Sequence, residues 1–231
     1  MSLWGLLGSA ENREPWETYL RGKNISTVAI DRAPLHSLQE VEIALVVDTD
    51  WESNILQKLW LFESHMDLRA PIVANIVAAS AAQYTPLCKH PERVVGMAVC
   101  PPLGKYNLEF TRTEISSDAA IATAKEKLGL LGIPMEVIGD RAGGVLPRTL
   151  AMLVNEACFA LQEGLASASE LDQAMLFGVN YPKGLLAWGD ELGTQFVLDV
   201  LTGLLRETGD PRYRPAPLLV RRAAMGIALS A

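Results

Sequence analysis

The sequence predicts an α/β domain followed by an all-helical domain, and three observations lead to this fold class. First, short β-branched segments alternate with amphipathic segments over residues 1–139, which is typical of a parallel sheet with crossover helices. Second, no strand pattern occurs after residue 140. Third, 49% of the 231 residues are hydrophobic, which is enough for one large core or two modest ones. We therefore expect domains at residues 1–139 and 140–231.

The first domain is predicted to contain four strands and three helices. The strand segments are rich in β-branched residues, and the helical segments place apolar residues three and four positions apart. The predicted strands are Ile25–Ile30, Ile43–Val47, Ile72–Val77 and Val94–Val99. The predicted helices are Glu14–Arg21, Trp51–His65 and Asp118–Leu131.

The second domain is predicted to consist of helices only. Its first helix carries one apolar stripe and is expected to end at Gly164. Ser167 and Glu170 have the spacing of a capping box and predict the start of the next helix. Phe196–Leu205 is predicted to form a third helix, and Pro215–Pro217 to interrupt the chain before a terminal helical segment.

Charge and cysteine usage argue against several classes of function. The 20 basic and 27 acidic residues give a net charge of −7, and no basic cluster exceeds Arg221-Arg222, so a nucleic-acid partner is not expected. No apolar stretch reaches the length of about 18 residues that a membrane span needs, and the first residues do not resemble a signal peptide. Scattered cysteines indicate a reducing cytoplasm. The separated histidines predict no metal site.

Three groups of polar and aromatic side chains are interpreted as structural. Asp48 and Asp50 resemble a carboxylate pair but are expected to cap the helix that follows them. Tyr181 and Trp188 are expected to pack around a turn rather than to hold a ligand. Ser80 has no histidine placed to activate it, and a nucleophile needs such a base.

Uncommon strings in the second half of the chain resemble one known family. They are Asn155–Ala157, Glu163–Ser167, Asp172–Met175, Gly178–Gly184, Asp190–Gly193 and Gly209–Pro215. In this order and with these gaps, they resemble the helical C-terminal domain of 3-hydroxyacyl-CoA dehydrogenases. A fainter match at Ile72–Ala78 and Pro91–Met97 extends the resemblance to residues 40–220.

The resemblance implies an abbreviated Rossmann-like, NAD-binding-type domain at residues 1–139 and a dimerisation domain at residues 140–231. In particular, the sequence resembles the second, degenerate copy in two-copy enzymes of this family. The implied cofactor is NAD, the implied ligand is an acyl-CoA-type small molecule, and the implied assembly is a homodimer through the helical domain.

The resemblance also implies that the catalytic side chains have been replaced. The family oxidises a 3-hydroxyl by hydride transfer to NAD with a His base, a Glu that orients it, a Ser and an Asn. Ala98 stands at the His position, Val77 at the Ser position and Pro147 at the Asn position. Phe110 falls at the Glu position, with Glu109 one residue early. A one-residue gap in the preceding loop would return Glu109 to the site.

The nucleotide-binding fingerprint is reduced as well. The family pattern is G-x-G-x-x-G after a full strand. Here the segment that contains Gly5 and Gly8 begins after at most four residues, and the two glycines form either a plain turn or a remnant of that loop. Asp31 ends the next strand, where an acid can bind the ribose hydroxyls. NAD binding through these residues is therefore expected to be weak or lost.

These observations favour a non-catalytic family member that dimerises, binds an acyl-CoA-type ligand or forms the structural half of a larger dehydrogenase. The alternative is an active NAD-dependent dehydrogenase that uses Glu109 or an active site on an attached domain. A third interpretation is an enzyme of another class in the same cleft. Restoring Ala98→His alone is expected to be insufficient, because the orienting Glu is missing or out of register.

Overall fold

The structure is a computed structural model that describes residues 2–49 and 58–231. Its residues group into two compact units. One unit comprises the chain up to Val99 together with Leu103–Gly144, and the other comprises Cys100–Pro102 and Val145–Ala231. The first unit is α/β and the second is helical, which confirms the predicted fold class. Within the described residues, no helix is both long and apolar enough to cross a membrane.

The first unit is built on a seven-stranded sheet. Its strands are β1 (Leu3–Leu7), β2 (Ser26–Ala29), β3 (Ile43–Val46), β4 (Ile72–Asn75), β5 (Val94–Ala98), β6 (Leu108–Arg112) and β7 (Met135–Val137). The strand order is β2-β1-β3-β4-β5-β6-β7. Neighbouring strands are parallel except for β5 and β6, which are antiparallel. The four predicted strands are all present in this sheet.

Strands β1, β6 and β7 are not among the four predicted strands, and two of them lack the expected sequence pattern. Strand β1 has the sequence LWGLL, which lacks β-branched residues and contains a glycine in its middle. Strand β7 is only three residues long and has no buried residue. Neither segment therefore shows the pattern of β-branched residues that identifies a strand in a sequence.

Along the chain, the described helices of the first unit alternate with the strands of this sheet. They are α1 (Ala10–Gly22), α2 (Leu59–Glu63), α3 (Ala81–Tyr84) and α4 (Asp118–Gly129). Ser9 caps α1 by accepting a hydrogen bond from the amide of Asn12, and Ser117 caps α4 in the same way. Each cap satisfies a helix amide that has no carbonyl partner within the helix. The first half of the predicted helix Trp51–His65 lies outside the described residues.

The core of the first unit lies on the central strands. Every residue of β3 and β5 is buried, as expected for strands covered on both faces. Trp4, Leu45 and Phe110 belong to this core. Full burial of such a side chain stabilises the folded state by roughly 1.5–3 kcal/mol. The central strands therefore hold the residues at their carboxyl ends in fixed positions.

The second unit contains five helices among its described residues. They are α5 (Leu146–Gln162), α6 (Ala168–Gly178), α7 (Leu185–Leu192), α8 (Thr194–Thr208) and α9 (Pro217–Met225). Residues 145–231 contain no strand, as predicted. Gly164 follows α5 with a φ of +70°, a left-handed conformation that favours glycine. Ser167 and Glu170 form both hydrogen bonds of the predicted capping box.

Candidate active site

Strand pairing brings Ala98, at the predicted position of the base, opposite Glu109. The antiparallel register of β5 and β6 pairs these two residues directly, and directly opposed residues present their side chains on the same face of a sheet. Ala98 is 1% exposed and Glu109 is 6% exposed. A buried carboxylate therefore lies on the same face as a methyl group that cannot accept or carry a proton.

Gly144 closes this face of the sheet. Its φ is +56°, and a Cβ atom added to it would lie 3.2 Å from the Cβ of Ala98 and would overlap the Oε2 atom of Glu109. The preceding amide, of Gly143, donates a hydrogen bond of 2.7 Å to the carbonyl of Ile76. The backbone of this glycine turn therefore packs directly on the Ala98–Glu109 pair.

Phe110 points away from this site, which corrects the ungapped alignment. It pairs with Met97 across the strands, and both side chains belong to the hydrophobic core of the first unit. The expectation that Phe110 occupies the carboxylate position is thus wrong for the structure, because a shift of one residue reverses the face of a strand. Glu109 lies where a one-residue gap in the loop would place it.

Shortly after the end of β4, an apolar residue, Val77, occupies the position where the family has a serine. Val77 is 1% exposed and follows Asn75, the last residue of that strand. Its amide donates a 3.1 Å hydrogen bond to the side chain of Asn75, so this turn is held without a hydroxyl. Nearby, Ser80 precedes α3, and its hydroxyl oxygen accepts a hydrogen bond of 3.4 Å from the side-chain Nε2 atom of Gln83.

Pro147 occupies the second position of α5 in the second unit and is buried. A proline suits the first turn of a helix because the missing N–H has no partner there in any case. The next residue, Arg148, donates to the hydroxyl of Tyr213, and its guanidinium carbon lies 5.0 Å from the centre of that ring. The start of α5 is thus fixed by packing and carries no side-chain amide at Pro147.

Gly5 and Gly8 have different roles in the structure. Gly5 lies inside β1, and a Cβ atom there would come within 2.8 Å of the Cγ1 atom of Ile30. The interpretation of both glycines as one turn is therefore corrected, since Gly5 belongs to the strand. Gly8 lies between β1 and α1, at the position where a dinucleotide-binding fold places its phosphate loop.

Asp48 reaches the beginning of α1. Its Oδ1 atom accepts hydrogen bonds from the amide of Ser9 at 2.7 Å and from the side-chain amide of Asn12 at 2.9 Å. Asp48 is 3% exposed, and a Cβ atom on Gly8 would lie 2.7 Å from the same oxygen. Asp50 and the start of the helix that both residues were expected to cap lie outside the described residues.

Asp31 pairs with a buried arginine. The Nη1 atom of Arg13 donates to the Oδ1 atom of Asp31 at 2.9 Å and also to the carbonyl of Gly8. Arg13 is 3% exposed. Arg13 is not among the predicted site residues, although counting G-x-G-x-x-G from Gly8 places Arg13 at the third glycine position.

Several strings that carry the family resemblance have structural roles in the second unit. Asn155 accepts from the amide of Ala216 at 2.8 Å and donates to the carbonyl of Arg214 at 3.0 Å. Tyr181 and Trp188 form an edge-to-face contact with ring centres 6.5 Å apart, so their predicted packing role is confirmed. These residues therefore stabilise the fold of the helical unit.

The family comparison agrees with this division of the chain. The sequence model of the family described as "3-hydroxyacyl-CoA dehydrogenase, C-terminal domain" matches residues 143–228. Over 111 residues, the chain is 44% identical to 3-hydroxyadipyl-CoA dehydrogenase of Escherichia coli strain K12; this match covers 48% of the chain and 23% of that relative. It is also 28% identical over 197 residues to a probable 3-hydroxybutyryl-CoA dehydrogenase of Bacillus subtilis, which covers 82% of the chain and 68% of that relative.

The fold is similar to that of solved dehydrogenase structures over nearly its whole length. The crystal structure of (S)-3-hydroxybutyryl-CoA dehydrogenase from Ralstonia eutropha superimposes with a TM-score of 0.75 at 21% identity. The match covers 98% of this chain and 94% of that chain. At 21% identity this likeness concerns the fold alone.

Proposed function

Because this chain belongs to the 3-hydroxyacyl-CoA dehydrogenase family, we propose that it is a non-catalytic member that serves as the structural, dimerising part of a dehydrogenase assembly. The observation that carries this proposal is the pairing of Ala98 with Glu109. The scaffold and the carboxylate are present, and the group that would remove the hydroxyl proton is replaced by a methyl group.

The loss of a general base alone costs on the order of 10²- to 10⁴-fold in rate. Val77 and Pro147 lack the hydroxyl and the amide that the family pattern has at these positions, so two polar groups are replaced in addition to the base. Such losses do not add arithmetically. Each of them nevertheless removes a different contribution to the same transition state, and together they leave no machinery for hydride transfer.

A structural role is supported by the apolar surface of the second unit. Helix α6 has no buried residue among its 11 residues. Leu165, Phe177 and Val179, in and beside this helix, are 76%, 84% and 57% exposed. Exposed apolar patches mark surfaces that a partner covers, and these three side chains lie in or next to a single helix. The 44% identity to a segment that makes up 23% of the Escherichia coli relative supports a role as one part of a larger dehydrogenase.

A second candidate function is supported by the position of Glu109. This carboxylate is buried opposite Ala98, and a carboxylate can itself act as a general base. In that case the chain would be an active NAD-dependent 3-hydroxyacyl-CoA dehydrogenase in which Glu109, with no histidine between it and the substrate, removes the proton.

Steady-state oxidation of 3-hydroxybutyryl-CoA with NAD, followed through the near-ultraviolet absorbance of NADH, separates these two candidates. We expect no NADH formation above the rate without protein, for the natural chain and for Glu109→Gln alike. An intact dehydrogenase of the family serves as the positive control. NADH formation that scales with the concentration of the natural chain and is lost in Glu109→Gln would establish the second candidate and contradict the first.

A further inference from the structure

The strand-to-helix junction that would receive the nucleotide is occupied by the protein's own side chains. In a dinucleotide-binding fold, the pyrophosphate lies at the N-terminus of the helix after the first strand, where free amides and the helix dipole attract an anion. In this chain, that position is the Gly8–Ser9 turn at the beginning of α1. The amide of Ser9 donates to the carboxylate of Asp48 at 2.7 Å.

We propose that Asp48 and Arg13 close the nucleotide cradle from within, so that the chain folds as a permanently NAD-free form of the dinucleotide-binding domain. Asp48 supplies the anion at the helix start, and Arg13 neutralises Asp31, the acid expected to bind the ribose. The cofactor that the family implies does not fit these residues.

The charge and burial of Asp48 support this inference. A pyrophosphate at the same helix start would have to displace a buried carboxylate from the amide of Ser9 and the side chain of Asn12. If both anions remained, two like charges would share one small site, which is unfavourable. Space is also lacking, because the Oδ1 atom of Asp48 lies only 2.7 Å from the position of a Cβ atom on Gly8.

The position of Arg13 independently supports the inference that the nucleotide cradle is closed. The third glycine of the fingerprint allows the helix to pack closely on the strand, and Arg13 takes that position with a side chain only 4% exposed. Its guanidinium donates to the carbonyl of Gly8 and to Asp31. The Oδ1 atom of Asp31 thus already accepts a charge-assisted hydrogen bond. Releasing it would leave the buried guanidinium with only the longer ion pair to Glu17, at 3.6 Å.

This inference deepens the proposed function, and its test measures binding so that the two can fail separately. Isothermal titration of the natural chain with NADH is expected to give no saturable heat up to about 1 mM, the upper end of the usual range of enzyme–substrate constants. Saturable NADH binding would overturn the inference. If the same chain still formed no NADH from substrate, the proposed function would stand.

Thermal unfolding with inorganic pyrophosphate as the probe tests the role of Asp48. Asp48→Ala is expected to lower the unfolding midpoint by about 2–8 °C, and pyrophosphate is expected to raise the midpoint of this variant while leaving the natural chain unchanged. The matched control is Glu11→Ala, which removes an exposed carboxylate from the first turn of α1 and should respond like the natural chain. Equal responses of all three proteins would overturn the inference. If Asp48→Ala does not fold, the NADH titration of the natural chain decides.

Discussion

At the scale of single residues, the site is defined by which atoms face one another across β5 and β6. Ala98 and Glu109 share one face, whereas Met97 and Phe110 share the other and enter the core. A buried carboxylate therefore lies directly opposite a methyl group, at the position where the family resemblance predicts the base. We propose that the fold is retained in this way while the chemistry is lost.

The backbone around this pair predicts a stability difference between two glycines. Gly144→Ala should destabilise the protein by roughly 1–3 kcal/mol, because a left-handed conformation is strained for alanine and the new Cβ atom would overlap Glu109. Gly139→Ala is the control, since a Cβ atom there has no neighbour within 4 Å. Urea unfolding of both variants measures the difference. Equal free energies of unfolding for the two variants would show that the turn tolerates a side chain.

Two cysteine thiols should be inert in the folded protein. Burial raises the pKa of Cys88 to about 12, with a further contribution from the carboxylate of Glu63, and burial likewise raises the pKa of Cys158 to about 12. At pH 8 the reactive thiolate is then about one molecule in 10⁴. Alkylation with iodoacetamide, read residue by residue by mass spectrometry, should be slow in the native protein and rapid after denaturation. Rapid native labelling of either cysteine would contradict this assignment.

At the scale of elements, most of the secondary structure could be predicted because local patterns and packing agree. Strands β3, β4 and β5 are short β-branched runs buried on both faces, and α5 and α8 carry continuous apolar stripes. Strand β1 was missed because its stability comes from pairing with β2 and β3. Its composition alone does not indicate a strand.

The register of β6 could not be decided from the sequence. Both Glu109 and Phe110 are compatible with the spacing of the family pattern, and only the pairing with β5 fixes which side chain faces Ala98. In this register Glu109 can orient an imidazole at position 98. A missing or misplaced Glu is therefore no longer a reason for Ala98→His to fail. We still expect this variant to be inactive, because Val77 and the nucleotide cradle remain unsuited to the reaction.

Asp48 and Arg13 illustrate what a sequence pattern misses at a site. Asp48 was assigned to the helix that follows it in the chain, because capping is a local relation and the amide of Ser9 is 39 positions away. Arg13 had no signal of its own apart from its distance from Gly8. Their roles depend on how β1, β3 and α1 come together, and the order of strands in the sheet determines that arrangement.

The capping box of α6 provides a test at the scale of one helix. Ser167 accepts from the amide of Glu170 and Glu170 accepts from the amide of Ser167. Ser167→Ala should therefore cost about 1 kcal/mol of stability, whereas Ser169→Ala, an exposed position in the same turn, should stay within about 0.5 kcal/mol. Denaturant unfolding followed by circular dichroism measures both. An equal loss in the two variants would contradict the capping role.

At the scale of the whole molecule, we expect a homodimer formed through the helical unit. The exposed apolar residues in and beside α6 are the surface that we expect to be covered, and a stable interface should bury more than about 1,000 Å² in total. Phe177→Asp should shift the mass measured by light scattering at tens of micromolar from dimer to monomer, because a buried unpaired charge is costly. Leu68→Asp, at an apolar position 62% exposed in the first unit, should leave the mass unchanged. A monomeric natural chain would contradict the assembly.

We propose that this chain retains the dehydrogenase scaffold without the ability to transfer hydride. The test mixes stoichiometric amounts of the purified chain, NADH deuterated at both C4 positions and acetoacetyl-CoA, and uses mass spectrometry to look for deuterium at carbon 3 of 3-hydroxybutyryl-CoA. A single turnover is detectable in this design, so even a slow enzyme would be seen. We predict no deuterated product above the protein-free reaction. Product approaching the amount of protein, and lost in Glu109→Gln, would contradict the claim.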